Sequence, residues 1–361
     1  MLFVEHFEYT RDTKIVAEMS LSLLSGLLDY WSCYLTRVHD PSLPGGYRYD
    51  DVHDRYAEPP PAGTNPIPAI ALIRRVAAAI LDMAAALGVA PHPFAADVVQ
   101  HLAPLPSYTN ATSGATTWIY FEGADPVTAW ASAWPIHPAQ TYSTASPTPI
   151  LKIAQDTVRH YKSAGTVALL YAALVRSGLQ DSVRGRHRGS EQAFTASEVL
   201  DRMEADVAPR LMQNMVIRES VTGGNGGWLE NCGITLAINE MLVAANPTGQ
   251  EACPWLVEVF PGWPKAEPAS FSSLRVKGGF GVSAGYTSPP NIDQTIAVTS
   301  YAGGVCAILD PWMGGPGSIA VRTAGGDAVP VVWVDVLSGD AVVFNTTAGV
   351  SYRVAGGRRS S

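Results

Sequence analysis

The carboxylates that could do chemistry are few, and Glu230 is the one whose local setting is most suggestive. It lies in GGNGGWLENCG (residues 223–233), a glycine-rich turn leading into a helix. Free backbone N–H groups and the helix dipole at such a place favour an ionised carboxylate, the form a general base needs. An ordinary first-turn helix residue would occupy the same position. YRYDDVHDRY (47–56) gathers Asp50, Asp51, His53 and Asp54, oxygen donors of the kind hard cations take, but it meets no fixed loop spacing. It reads better as a solvated loop or the rim of a substrate site. Trp118, Trp130, Trp134 and Trp228 offer flat indole faces on which a sugar ring can stack, and core packing uses the same residues. His137, in WPIHPAQ (134–140), has a ring N–H that a sugar hydroxyl could accept, or it is a satisfied loop histidine. Glu240, in AINEML, faces inward with Ile238, Met241 and Leu242 and reads as a carboxylate tied to backbone or arginine. RGRHRG (184–189) reads as a solvated basic loop. HExxH, P-loop and dinucleotide fingerprints are all missing.

These residues need elements to hold them. Residues 14–34 predict a long helix with Asp12 or Thr13 as cap; Val16, Leu23, Leu24, Leu27 and Trp31 form its stripe, and further apolar residues occupy other faces. Residues 35–64 read as a Pro/Gly-rich loop. A second helix follows, with Asn65 as cap, Pro66 in the first turn and Gly88 as the stop. A short helix is expected over 93–103, a hairpin with long loops over 106–145, and helices over about 148–161, 164–177 and 196–214. The helix after the glycine-rich turn runs to about 244. Beyond FPGWPKAEPAS (260–270) short β-branched runs with glycine turns predict an antiparallel β-domain. Helices first and strands afterwards indicate an α-domain plus a separate β-domain.

Hydrophobic residues make up 47% of the 361 positions and charged ones 16%, a balance that suits a folded core and not a disordered chain. The net charge of −8 argues against nucleic acid as a partner. The most apolar stretch, near 67–87, is interrupted by Arg74, Arg75 and Asp82, so a membrane span is not expected. Cys33, Cys232, Cys253 and Cys306 are scattered without metal spacing, and neither a metal nor another cofactor is expected. MLFVEHFEYTRD does not read as a signal peptide, and the compartment stays open. Oligomeric state is open as well.

Five segments, in order, resemble glycoside hydrolase family 95, the inverting α-L-fucosidases and α-L-galactosidases. VEHFEYTRD (4–12) resembles W-E-H-Y-x-Y-T-G-D, with Val4 and Arg11 departing from it. NPIPAIALIRRVAAAILDMAAALG (65–88) is similar to a helix of that family, and WPIHPAQ stands where the family has a Y-P-G turn. WLENCGITLAINEML (228–242) and VFPGWPKAEPASFSSLRVKGGFGVSA (259–284) complete the series. The resemblance implies a mainly α fold: an incomplete (α/α)6 six-hairpin toroid over 1–258, then a linker and small antiparallel β-sandwich-like domain over 259–361. It also implies a chain lacking the family's upstream β-sandwich, its first toroid helices and the N-M-Q-x-N-Y-W segment.

For function the resemblance implies an inverting exo-α-glycosidase acting on terminal sugars of oligo- or polysaccharides. Inversion needs a proton donor on one side of the sugar and a base that activates water on the other. Glu5 matches the family's general acid, and Phe3, Phe7 and Tyr9 suit the apolar surroundings a proton donor needs. Glu230 stands one residue after Leu229, the strict counterpart of the family's catalytic-side Asp in D-x-N-x-G. Asn231, Trp228, His137, Trp134 and Trp118 are the expected sugar contacts, although the family's H-R-H-x-S-H run is absent before WPIHPAQ. The alternative is a truncated chain that binds carbohydrate without turnover, which predicts exposed apolar helix faces. Another six-hairpin class, an α-rhamnosidase or a polysaccharide lyase, is a third reading, and no Arg-rich cleft supports the lyase.

Overall fold

Arg11, at φ 55°, ends the helix α1 (Leu2–Thr10), and Asp12 starts the next by accepting from the backbone N–H of Lys14 (2.9 Å) and Ile15 (3.3 Å). These features belong to a computed structural model that describes residues 1–52, 63–125, 130–159, 167–179, 194–218, 228–250, 253–264, 266–288, 291–292 and 295–356. The chain divides into two units. The first holds Met1–Phe7 and Asp12–Thr141; the second holds Glu8–Arg11, Tyr142–Arg159 and the described chain from residue 167 onward.

In the first unit a short turn, Thr13–Ile15, and a π-turn, Val16–Ser20, lead into α2 (Leu21–Tyr34). Leu24 and Leu28, one turn apart, face inward and pack with Ile70, Ile73, Ile80 and Met83 of α3 (Ile67–Leu87). The opposite side of α2 is unlike a typical surface. Leu23, Leu27, Tyr30 and Tyr34, with Met19 in the turn before them, lie three or four residues apart and are 37–55% exposed. Gly88, at φ 65°, closes α3 by turning its N–H onto the carbonyls of Ala84 and Ala85. The cap at the other end is Pro66, not Asn65. Asn65 is buried, accepts from the Asp51 N–H, and donates to Asp50 (3.1 Å) and Glu122 (2.8 Å). Helix α4 (Pro93–His101) and two small hairpins, β1 (Thr36–His39) with β2 (Tyr47–Asp50) and β3 (Ser107–Thr109) with β4 (Thr116–Trp118), complete this unit.

The second unit carries helices α5 (Thr148–Arg159), α6 (Val167–Ser177), α7 (Ala196–Val207) and α8 (Trp228–Leu242). A reciprocal Thr195–Glu198 box starts α7. Helix α8 passes directly into β5 (Val243–Pro247), which pairs with β6 (Trp255–Val259). The strands that follow are β7 (Ala269–Val276), β8 (Phe280–Ser288), β9 (Asn291–Ile292), β10 (Thr295–Ser300), β11 (Gly304–Leu309), β12 (Ile319–Thr323), β13 (Ala328–Val329), β14 (Val332–Val336), β15 (Gly339–Thr346) and β16 (Ser351–Gly356). One sheet runs β13-β12-β16-β10-β8-β7, with β9 on β8; the other runs β14-β15-β11-β6-β5. The pairs are antiparallel except β6 with β11, which is parallel.

Inward residues of both sheets, among them Val257, Val259, Phe280, Ile296, Val298, Ile308 and Val354, share one core. The five-stranded sheet buries its other face too, through Leu256, Ala307, Leu309 and Ala341. That explains why its strands read as continuous apolar runs and not as alternating ones.

The expected mainly α fold, a six-hairpin toroid with a small β-domain, is therefore corrected. Helix accounts for 38% and strand for 28%, and the sheets are large. Two local causes lie behind the misreading. VAANP reads as the end of a helix, and PWLVEV is an apolar run too short for its period to separate strand from helix. The four cysteines are free thiols, with Cys33 and Cys232 exposed and Cys253 and Cys306 buried. Among the described residues, no helix is long and apolar enough to cross a membrane.

Candidate active site around Glu5

Helix α1 turns Val4 and Phe7 into the core, which leaves Glu5 half-buried on its neighbouring face. Its partner comes from far along the chain. Gln140 Nε2 donates to Glu5 Oε1 at 2.9 Å. Gln140 is only 2% exposed and sits at φ 54°, a left-handed conformation that costs a non-glycine residue energy unless its surroundings impose it.

Those surroundings are the tightly wound stretch 130–141. The N–H groups of Trp134, Ile136, His137, Ala139 and Thr141 bond back to carbonyls of Ala131, Ala133, Ala133, Trp134 and Pro135. Ala131, Ser132, Ala133, Ile136 and Ala139 are almost wholly buried, so the turn is a packed element that aims Gln140 at α1. An amide that holds one carboxyl oxygen leaves the other as the oxygen a substrate could meet. A carboxyl fixed this way is equipped for proton transfer.

Of the other expected contacts, Trp134 is partly buried and His137 is 8% exposed, both within this turn. Trp118, on β4, is 2% exposed and lies in the interior of the first unit. The backbone sets Trp228, Glu230 and Asn231 at the start of α8, in the second unit, and their side chains lie outside the described residues. So do residues 223–227, RGRHRG, His53, Asp54 and the Trp130 side chain.

Asp50, from the acidic loop, is engaged by Arg48 at 2.8 Å and by Asn65. Among the described residues, no three His, Cys, Asp or Glu side chains assemble as a metal group. Near that loop, Asp97 accepts from the phenols of Tyr47 and Tyr49, each at 2.6 Å, and lies 2.8 Å from His101 Nδ1. Burial works against ionising Asp97, but the two phenol hydrogen bonds and His101 outweigh it and hold the carboxyl below its ordinary range.

Sequence reasoning missed two groups. Gln140 ends the WPIHPAQ segment, and its residue type was the available signal, since an amide can orient a carboxylate. The second is an ion pair on α1 itself. Glu8, 3% exposed, meets Lys277, 1% exposed, at 3.0 Å, with the Lys277 ammonium 5.1 Å from the Trp255 ring centre. Glu240 pairs with Arg176 at 2.5 Å, as a carboxylate tied to arginine.

No protein-family model matches this chain, and no curated protein matches it. Among solved structures, it is similar to Ara127N-Se, a GH127 β-L-arabinofuranosidase from Geobacillus stearothermophilus T6. The identity is 13% and the TM-score 0.21, over 78% of this chain and 41% of that one. The chain thus spans about two fifths of that enzyme's length.

Proposed function

We propose that this chain is a glycoside hydrolase of the family 95 kind, in which Glu5 hands a proton to the leaving oxygen of a terminal α-linked sugar. Glu230 serves as the carboxylate on the water side, giving inversion. The substrate is a carbohydrate of the fucosylated or galactosylated type, and neither nucleic acid nor membrane is a partner. The carrying observation is the 2.9 Å bond from Gln140 to Glu5. It joins two segments, 4–12 and 134–140, that resemble the family and are far apart in sequence. The donated hydrogen bond also gives Glu5 the fixed geometry that proton transfer requires.

The test compares an aryl α-L-fucoside with an α-1,2-fucosylated oligosaccharide. Glu5→Gln should lower turnover of the oligosaccharide by about 10²–10⁴, the usual worth of a general acid. It should affect the aryl fucoside much less, because a phenolate leaves without a proton. Gln140→Leu should lower oligosaccharide turnover by up to about tenfold, the worth of one hydrogen bond between neutral groups. Glu230→Gln should depress both substrates alike. If Glu5→Gln turns over the oligosaccharide at the parental rate, the assignment is wrong.

A second reading, a chain that binds carbohydrate without turnover, is favoured by the apolar stripe on α2. Exposed side chains from Met19 to Tyr34 are the kind of surface that a further element covers in a complete site.

A further inference from the structure

In the second unit a cavity of about 260 Å³ opens between the end of α1, one face of α8, and strands β5 and β7. Apolar side chains line much of it: Leu236 from α8, Val243 and Ala245 from β5, and Leu274 from β7. Tyr9, Asn239, Glu240 and Arg275 supply its polar groups. Small-molecule sites have this composition, an apolar lining with a few placed polar groups, and the volume here suits something smaller than a drug-sized ligand.

The character of the polar groups narrows the ligand. Glu240 is 3% exposed, and its Oε1 is held by Arg176. Its Oε2 is buried and has no hydrogen-bond partner among the described residues. A carboxylate oxygen without a donor is costly in a protein interior. The charge of Glu240 is already matched by Arg176, so what the site lacks is a hydrogen-bond donor and not a counter-charge. An anionic ligand would meet Glu240; a cationic one would meet Arg275, whose guanidinium lies 3.3 Å from the Tyr301 ring centre. A neutral hydroxyl satisfies the oxygen without either conflict, and the Asn239 amide can both donate and accept beside it.

We infer that this cavity binds a neutral, hydroxyl-rich molecule of monosaccharide size, one hydroxyl donating to Glu240 Oε2 and the apolar ring face resting on Leu236, Val243 and Leu274. The inference does not rest on the hydrolase reading. The test is saturation-transfer NMR and calorimetry on the full chain, with L-fucose and D-galactose as probes and D-glucuronate and D-glucosamine as charged counterparts. The neutral sugars should bind in the millimolar range and the charged ones more weakly.

Asn239→Ala should weaken binding by about fivefold to tenfold, and Leu274→Trp, which fills the cavity, should abolish it. Circular dichroism and thermal melts check that both variants remain folded. Leu23→Ser, outside the cavity lining, should bind the sugars as the parent does, and turnover of the aryl fucoside reports on the hydrolase reading separately, so the two failures give different results. No transfer to either neutral sugar, tighter binding of a charged one, or binding that survives Leu274→Trp would each overturn the inference.

Discussion

Replacing Lys277 by methionine should be among the most damaging single changes in this molecule. The ammonium is 1% exposed and 3.0 Å from a Glu8 oxygen, itself on a side chain 3% exposed. At an effective dielectric constant of about 20, two unit charges so close attract by roughly 5–6 kcal/mol. Desolvating both groups takes back most of that, so the intact pair contributes little net stability. Breaking it is another matter, because Lys277→Met takes from the buried Glu8 carboxylate the ammonium that lies 3.0 Å away. The expected loss is about 3–5 kcal/mol. In Glu8→Leu/Lys277→Met both charges of the pair are removed, and stability should return to within about 1–2 kcal/mol of the parent. Urea unfolding of the parent, both single variants and the double variant measures these values and their coupling. A cost below about 1 kcal/mol for Lys277→Met, or a double variant as unstable as the single, would refute the reasoning.

Two further outcomes follow from the first unit. Leu24→Ala, on the inward face of α2, should cost about 2–5 kcal/mol, whereas Leu23→Ser on the exposed stripe should cost under about 0.5 kcal/mol. Binding of a hydrophobic dye should fall in Leu23→Ser, and equal destabilisation of the two variants would contradict the facing of α2. Asp97 ionises more readily in the folded chain than in the unfolded one, because the phenols of Tyr47 and Tyr49 donate to its charged form. Its contribution to stability is therefore present above the ordinary carboxyl value of 3.8 and is lost as pH falls below it. Asp97→Asn should flatten the acid limb of a stability-against-pH curve, and an unchanged limb would exclude this carboxylate.

Local punctuation was readable from the sequence. Asp12 caps where an Asp should, Gly88 stops α3, and the 14–34 and 65–88 segments are helical as their periods predict. What failed was local too. Strands β5 and β6 bury side chains on both faces, since that sheet is covered on each side, so neither the period of a strand nor that of a helix is visible there. The site was half readable: Glu5 follows from the resemblance, and Gln140 does not. Its bond to Glu5 spans 135 residues and depends on a buried turn whose shape no short motif encodes. Asn65 teaches the same lesson, for a residue type that favours caps spends its side chain on Asp50 and Glu122.

The four thiols divide in a useful way. Cys33, on α2, and Cys232, on α8, reach solvent, one on each unit, whereas Cys253 and Cys306 are enclosed. Burial also pushes the Cys306 thiol far above its ordinary range, keeping it out of the reactive thiolate form. A maleimide dye pair should therefore attach at two natural positions without any engineered residue. Labelling there, with Cys253 and Cys306 spared, would report solvent access on each unit separately when sugar is added.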